Sequence, residues 1–206
     1  MPTLVSQALE LDAFVHPPFP VRRWSVAEYL QLTESGFLTA DDKVELLAGW
    51  IVPRMTHNAP HDSAIQRLVR RLFQSLLDDW DVRVQSAITT GDSVPEPDVA
   101  VVPGPEGRFD QQRPTVGEVE LVVEVSDTTL RQDRMKREIY AAAEIPTYWI
   151  VNLQGRTIEV SSQPDREAGG YSVERTYGEQ ESVPVVIGGN VICEIPVIRI
   201  LPSRSS

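Results

Sequence analysis

Apolar residues recur along this chain with two periods, and the places where one period gives way to the other mark its elements. Over residues 61–77, Ile65, Leu68, Val69, Leu72, Phe73 and Leu76 return at three- and four-residue steps, which predicts an amphipathic helix. Upstream, Ser25-Val26-Ala27-Glu28 has the spacing of a capping box, predicting a helix to about Ser35 with Gly36 as its stop. Lys43-Val44-Glu45-Leu46-Leu47 and Trp50-Ile51-Val52 flank Ala48-Gly49 and read as a hairpin. Val82 and Val84, with Ile88 beyond, alternate with polar residues and predict a strand over 81–87. Residues 98–102 and 119–125 are near-continuous β-branched runs, the pattern of strands covered on both faces. Residues 103–114 are polar and rich in Pro and Gly, hence a loop. Thr129 with Gln132 offers another capping-box spacing and opens a helix to about Ala143, with Met135, Ile139 and Ala142 placed to pack on a sheet. Thr147-Tyr148-Trp149-Ile150-Val151 returns as a strand, so strand, helix, strand predicts a parallel pair with a right-handed crossover. After Asn152 the pattern is of short strands broken by Gly169-Gly170 and Gly188-Gly189-Asn190.

These elements make an α/β fold: a mixed β-sheet flanked by helices, with antiparallel strands added at both ends. Residues 1–23, with Pro17, Pro18 and Pro20, read as an irregular arm, 24–195 as one domain and 196–206 as a tail. A length of 206 residues, 41% hydrophobic and 24% charged, fits one soluble core. No stretch nears the ~20 apolar residues of a membrane span, and no basic start leads into an apolar stretch as in a secretory signal. Cys193, the single cysteine, lies in an apolar run and reads as a small buried hydrophobe, in keeping with a cytoplasmic protein. The net charge of −11 argues against a general nucleic-acid coating protein. It leaves room for a nuclease, whose acidic metal ligands add negative charge. Arg67, Arg70 and Arg71 lie off the apolar stripe of their helix, either as a solvated face or as a phosphate-facing patch.

Glu124 changes the picture most. It is a carboxylate inside Leu121-Val122-Val123-Glu124-Val125, where an ionised group is costly unless paired or metal-bound. Asp98 opens the other apolar run, and neighbouring strands would bring the two acids together. Two carboxylates suit Mg²⁺, which prefers oxygen ligands and keeps several waters. On the following helix Asp133, Lys136, Arg137 and Tyr140 share a face, which sets Lys136 to orient an attacking water. The plainer alternatives are a strand-start acid at Asp98 and a helical Asp133–Lys136 surface pair worth a few tenths of a kcal/mol.

In order, Glu96-Pro97-Asp98-Val99-Ala100-Val101-Val102, residues 121–126, Asp133-Arg134-Met135-Lys136, Tyr140 and Tyr148-Trp149-Ile150-Val151 resemble the Uma-two family of restriction-endonuclease-like proteins, within the PD-(D/E)xK nuclease superfamily. The likeness reaches upstream to Val44-Glu45-Leu46-Leu47-Ala48-Gly49 and His61, and covers roughly residues 24–195. It implies a restriction-endonuclease-like core, Asp98 and Glu124 as carboxylate ligands of Mg²⁺ or Mn²⁺, and the Val125 carbonyl as a third ligand. It further implies Lys136 as the catalytic lysine, Glu45 as the extra acid that completes the site, and Asp133 as the group that orients Lys136 or a water. The superfamily's usual lysine position, two after the glutamate, holds Ser126, so the lysine is displaced onto the helix. Two positions depart from the family pattern: Ala143-Glu144-Ile145-Pro146 where a glycine is usual, and Asn152 where an aspartate is common.

The reading is a metal-dependent endonuclease acting on DNA, with a homodimer as a natural arrangement for cutting two strands. Its rivals are a non-catalytic binding or assembly module on the same fold, and a phosphoesterase acting on RNA or nucleotides. His61 is a general base or a structural histidine at a helix start. His57 and His61 form a weak zinc pair, and His16 falls in the arm. Tyr148 and Trp149 read as core residues rather than base-stacking aromatics.

Overall fold

The computed structural model describes residues 20–54, 58–76 and 79–204; the expectations for His16, His57 and most of the N-terminal arm lie outside the described residues. Ser25 caps α1 (Val26–Glu34) as its spacing predicts: its hydroxyl accepts the Glu28 N–H, and the Glu28 carboxylate accepts the Ser25 N–H. β1 (Val44–Leu47) and β2 (Trp50–Pro53) form a hairpin whose two turn residues, Ala48 and Gly49, both have positive φ, the backbone that a two-residue turn requires. α2 (Ala59–Ser75) starts before His61, because the Asn58 side chain accepts the His61 N–H at 3.1 Å and Pro60 suits a first turn.

The central sheet runs β3 (Trp80–Val84), β4 (Val99–Pro103), β5 (Leu121–Ser126), β6 (Thr147–Asn152), β7 (Thr157–Asp165) and β8 (Gly170–Gly178), in that spatial order. β5 and β6 are parallel, joined by α3 (Leu130–Ala142), and the other neighbours are antiparallel. The predicted mixed sheet with antiparallel additions at both ends is therefore what forms. β3 stops short of the predicted 87 because Gln85 has φ +46 and turns the chain out of the sheet. Beyond Asn152 the expectation of short strands is corrected: β7 and β8 are nine residues each and pair along nearly their whole length. β9 (Ser182–Ile187) and β10 (Asn190–Pro196) make a separate hairpin.

Strand alternation sorts the core into two sides. Val99, Val101, Leu121, Val123 and Val151 pack with Leu68 and Leu72 of α2, whereas Ala100, Val102, Val122 and Ile150 pack with Tyr140 of α3. Tyr148 and Trp149 are fully buried, as expected of core residues. Val197, Ile200 and Leu201 also lie in the α2-side core, so the packed body continues past residue 195. Cys193 is only half-buried, against the expectation: β10 is an edge strand, and its Val191 and Ile192 are exposed.

α3 departs further. Its inward face is not Met135, Ile139 and Ala142. Met135 is 42% exposed and Ala142 is open to solvent, while Asp133, Tyr140 and Ala141 are buried. The helix turns its polar side to the sheet because those groups find partners there. The Thr129 side chain accepts no backbone N–H at the helix start, so the expected capping box does not form; its hydroxyl donates to the Asp133 carboxylate instead. In the turn that follows, Glu144 has φ +55, the left-handed region where glycine is unstrained, which explains why a glycine suits this position. Asn152 accepts the Gly155 N–H at 2.7 Å, a turn contact that an aspartate would also make.

Candidate active site

β4 and β5 pair only as far as Val99 opposite Val123, and beyond that point they part. The Asp98 carboxylate fills the opening. Its Oδ2 accepts the Val125 N–H at 2.8 Å and lies 3.1 Å from His61 Nε2. Within a strand, a residue's N–H and C=O point to the same edge. The Val125 carbonyl therefore faces the same opening. His61 is brought there by the first turn of α2, whose cap Asn58 is itself held by Asp127 at 2.6 Å.

On the α3 side of β5, Glu124 Oε1 accepts the Tyr140 hydroxyl at 2.9 Å and the Lys136 ammonium at 3.1 Å. Lys136 Nζ also lies 2.8 Å from Glu45 Oε1. Glu45 reaches this point because β1 docks on the segment leading to Asp98. The Val94 N–H donates to the Leu46 carbonyl, and the Glu96 N–H donates to Glu45 Oε2. Asp133 accepts the Thr129 hydroxyl at 2.6 Å, and its backbone carbonyl accepts the Tyr148 hydroxyl.

Glu45, Asp98, Glu124 and Asp133 are each at most 6% exposed, which sets aside surface roles for them. Burial pushes the Glu124 carboxyl up to about 8, with Asp98, Asp133 and Glu45 adding to the rise and Lys136 opposing it. Burial likewise raises Asp133, against its Thr129 and Lys136 partners. For Lys136, burial works against the charged form, but Glu124 and Glu45 outweigh it and hold the ammonium protonated. Burial also disfavours charge on His61, yet Asp98 and Asp62 raise its pKa overall. Four buried acids thus face one lysine and one histidine, and the site is short of positive charge. Apart from His61 Nε2, which is engaged with Asp98, the candidate ligands are carboxylate and carbonyl oxygens, the type a hard divalent cation prefers. Among the described residues no three acid, His or Cys side chains are gathered into a finished chelate, because Lys136 holds Glu45 and Glu124 while His61 takes Asp98. The donor chemistry fits Mg²⁺ or Mn²⁺, with Lys136 as the counter-charge in place.

The residues singled out by pattern and resemblance, Glu45, Asp98, Glu124, Val125, Asp133 and Lys136, meet around one end of β5. Asp133 reaches Lys136 through charge, with its hydrogen bond going to Thr129. Tyr140 shares a helix face with Lys136 at i and i+4, a spacing that can point to its bond with Glu124. Nothing in the local pattern points His61 at Asp98, since that contact spans 37 positions.

A family model, Uma2, described as "Putative restriction endonuclease", matches residues 26–192. The chain belongs to the Uma2 family. The resemblance carried by the ordered motifs is thereby borne out. A crystal structure of a putative nuclease belonging to DUF820 from Anabaena variabilis ATCC 29413 has the same fold, with a TM-score of 0.68 at 14% identity over 88% of this chain and 97% of that one. No curated protein matches the chain. In this Uma2 protein Ser126 is buried beside Thr129 at 3.4 Å, and the Lys136 ammonium of α3 reaches Glu124 at 3.1 Å.

Proposed function

We propose that this Uma2 protein is a metal-dependent endonuclease that hydrolyses phosphodiester bonds in DNA. The observation that carries the reading is the convergence of acids from separate segments, Glu45 of β1, Asp98 before β4 and Glu124 of β5, on the Lys136 ammonium and the opening beside Val125. Asp98, Glu124 and the Val125 carbonyl would hold Mg²⁺ or Mn²⁺, which when bound lowers the pKa of a water and neutralises charge on the leaving oxygen. Lys136 stays protonated and orients the attacking water while stabilising developing negative charge. Glu45 fixes Lys136 from the far side, and Asp133 adds to the field that keeps it charged. His61 holds Asp98 in place across the opening. Two copies, each cutting one strand, would suit a duplex substrate.

A second reading, a binding or assembly module on the nuclease fold, draws on the closed contact of Lys136 with both Glu45 and Glu124, which can serve as an internal ion cluster. Two measurements separate them. Calorimetric titration with Mn²⁺ should show binding that Asp98→Ala and Glu124→Ala abolish. Nicking of plasmid DNA in Mg²⁺ or Mn²⁺ should fall at least a hundredfold in the same variants and in Lys136→Ala. Parallel assays with RNA and nucleotides test the phosphoesterase alternative. Metal binding without cleavage of any of these substrates would favour the module.

A further inference from the structure

An open groove of about 380 Å³ runs along the outer flank of α2, lined by Ser63, Gln66, Arg67, Arg70, Arg71 and Arg199. A second groove of the same size continues it, sharing Arg71 and Arg199 and ending near Glu194. In a chain of net charge −11 this concentration of arginine is unusual. Elsewhere arginines are commonly neutralised: Arg134, Arg137, Arg156 and Arg175 each face a glutamate. Here the partners are neutral or missing. Arg67 donates to the Leu201 carbonyl and Arg71 to the Gln74 side chain. Arg70 and Arg199 are exposed and make no ion pair among the described residues. Glu194 lines the second groove beside Arg71 and Arg199, but among the described residues none of the four guanidinium groups is ion-paired, so positive potential remains, and the guanidinium fork matches phosphate oxygens.

The groove starts at the end of α2 that carries His61 to Asp98, but at ~100° per residue Ser63, Arg67 and Arg70 lie on the opposite, outer face of the helix. From Ser63 to Arg71 the helix rises roughly 12 Å at ~1.5 Å per residue. We propose that this groove is a track for the sugar-phosphate backbone of a nucleic-acid duplex, holding substrate on the outer face of α2; the proposal rests on the nuclease reading above. Four cationic side chains on an otherwise acidic protein give register and orientation without reading bases.

The test is fluorescence anisotropy of a labelled DNA duplex of about 20 base pairs, in EDTA so that no cleavage intervenes, across a salt series. Arg70→Gln with Arg199→Gln should weaken binding about tenfold and lower the salt slope by about one per lost contact. Arg131→Gln with Arg166→Gln, which removes the same charge elsewhere, should leave both unchanged. Equal loss in the two double variants, no loss in the first, or no duplex binding by the wild type overturns the track. Preference for anionic phospholipid vesicles over the duplex overturns it as well. Plasmid nicking separates the two ideas: nicking that depends on Asp98 alongside a silent groove sinks the track alone, whereas absent nicking with groove-dependent duplex binding sinks the nuclease reading alone.

Discussion

Glu124 is held inside the protein at a cost in stability, and pH exposes that cost. Its carboxyl is raised from 4.5 to about 8, so the folded form takes up a proton more readily than the unfolded chain. For a raised pKa, the stabilising contribution is fully present below pH 4.5 and is lost as pH rises through about 8. His61, also raised, acts in the same direction above its ordinary 6.5. The metal-free protein should therefore melt at lower temperature at pH 8 than at pH 5. Glu124→Gln should flatten most of that slope and stabilise the protein at pH 8 by about 1–3 kcal/mol, while removing Mn²⁺ binding. Thermal melts in a chelator across pH 5–8 check it, and an unchanged slope in the variant would refute the burial argument. Lys136→Ala should do the opposite, costing about 3–5 kcal/mol because Glu45 and Glu124 lose their shared cation; urea unfolding measures it. Glu124 was legible in the sequence because a charge inside a β-branched run is conspicuous against its neighbours. The His61–Asp98 contact was not, because both residues look ordinary locally and only the approach of α2 to the end of β4 joins them.

At the scale of elements, α3 shows where periodicity misleads. Its length and limits follow from the pattern, but its orientation does not. Ranking faces by hydrophobicity turns Met135 inward, whereas the fold turns Asp133, Lys136 and Tyr140 inward because Glu124 and Glu45 await them. A polar face can be the buried one when each group meets a partner already fixed on the sheet. Met135→Lys should accordingly shift stability by no more than about 0.5 kcal/mol. Tyr140→Phe, which deletes one hydroxyl bonded to Glu124, should cost about 1–3 kcal/mol and raise the Glu124 pKa further. Chemical denaturation at pH 7 compares the two. Equal effects would mean that α3 is not anchored through its polar side. The β1–β2 hairpin gives the complementary case. Its turn was plain from Ala48-Gly49, yet its docking through Leu46 and Val94, which carries Glu45 into the site, is a long-range contact that no local spacing signals.

In the whole molecule, the order of elements and the parallel β5–β6 pair could be read because each step is local: a buried run, a helix, a second buried run. The closure of the core could not. Residues 196–206 look like a tail, since Pro196, Pro202 and the serines carry no helical or strand period. They nevertheless contain Val197, Ile200 and Leu201, all at most 1% exposed and packed in the cluster that includes Leu68 and Leu72 of α2. Arg67 bonds the Leu201 carbonyl, so the same segment that presents Arg199 to the groove also fastens α2 to the body. Ile200→Ala and Leu201→Ala should each cost about 2–5 kcal/mol, the range for deleting a fully buried branched side chain. Ending the chain at Pro196 removes all three side chains at once, a loss comparable to the whole ~5–15 kcal/mol of an ordinary domain. That truncation should fail to unfold cooperatively, whereas ending the chain at Pro202 should melt like the full protein. Calorimetry of the two truncations decides it. A cooperative transition in the shorter one would show that α2 and the sheet close a core without the C-terminal segment, and that the Arg199 side of the groove is an appendage.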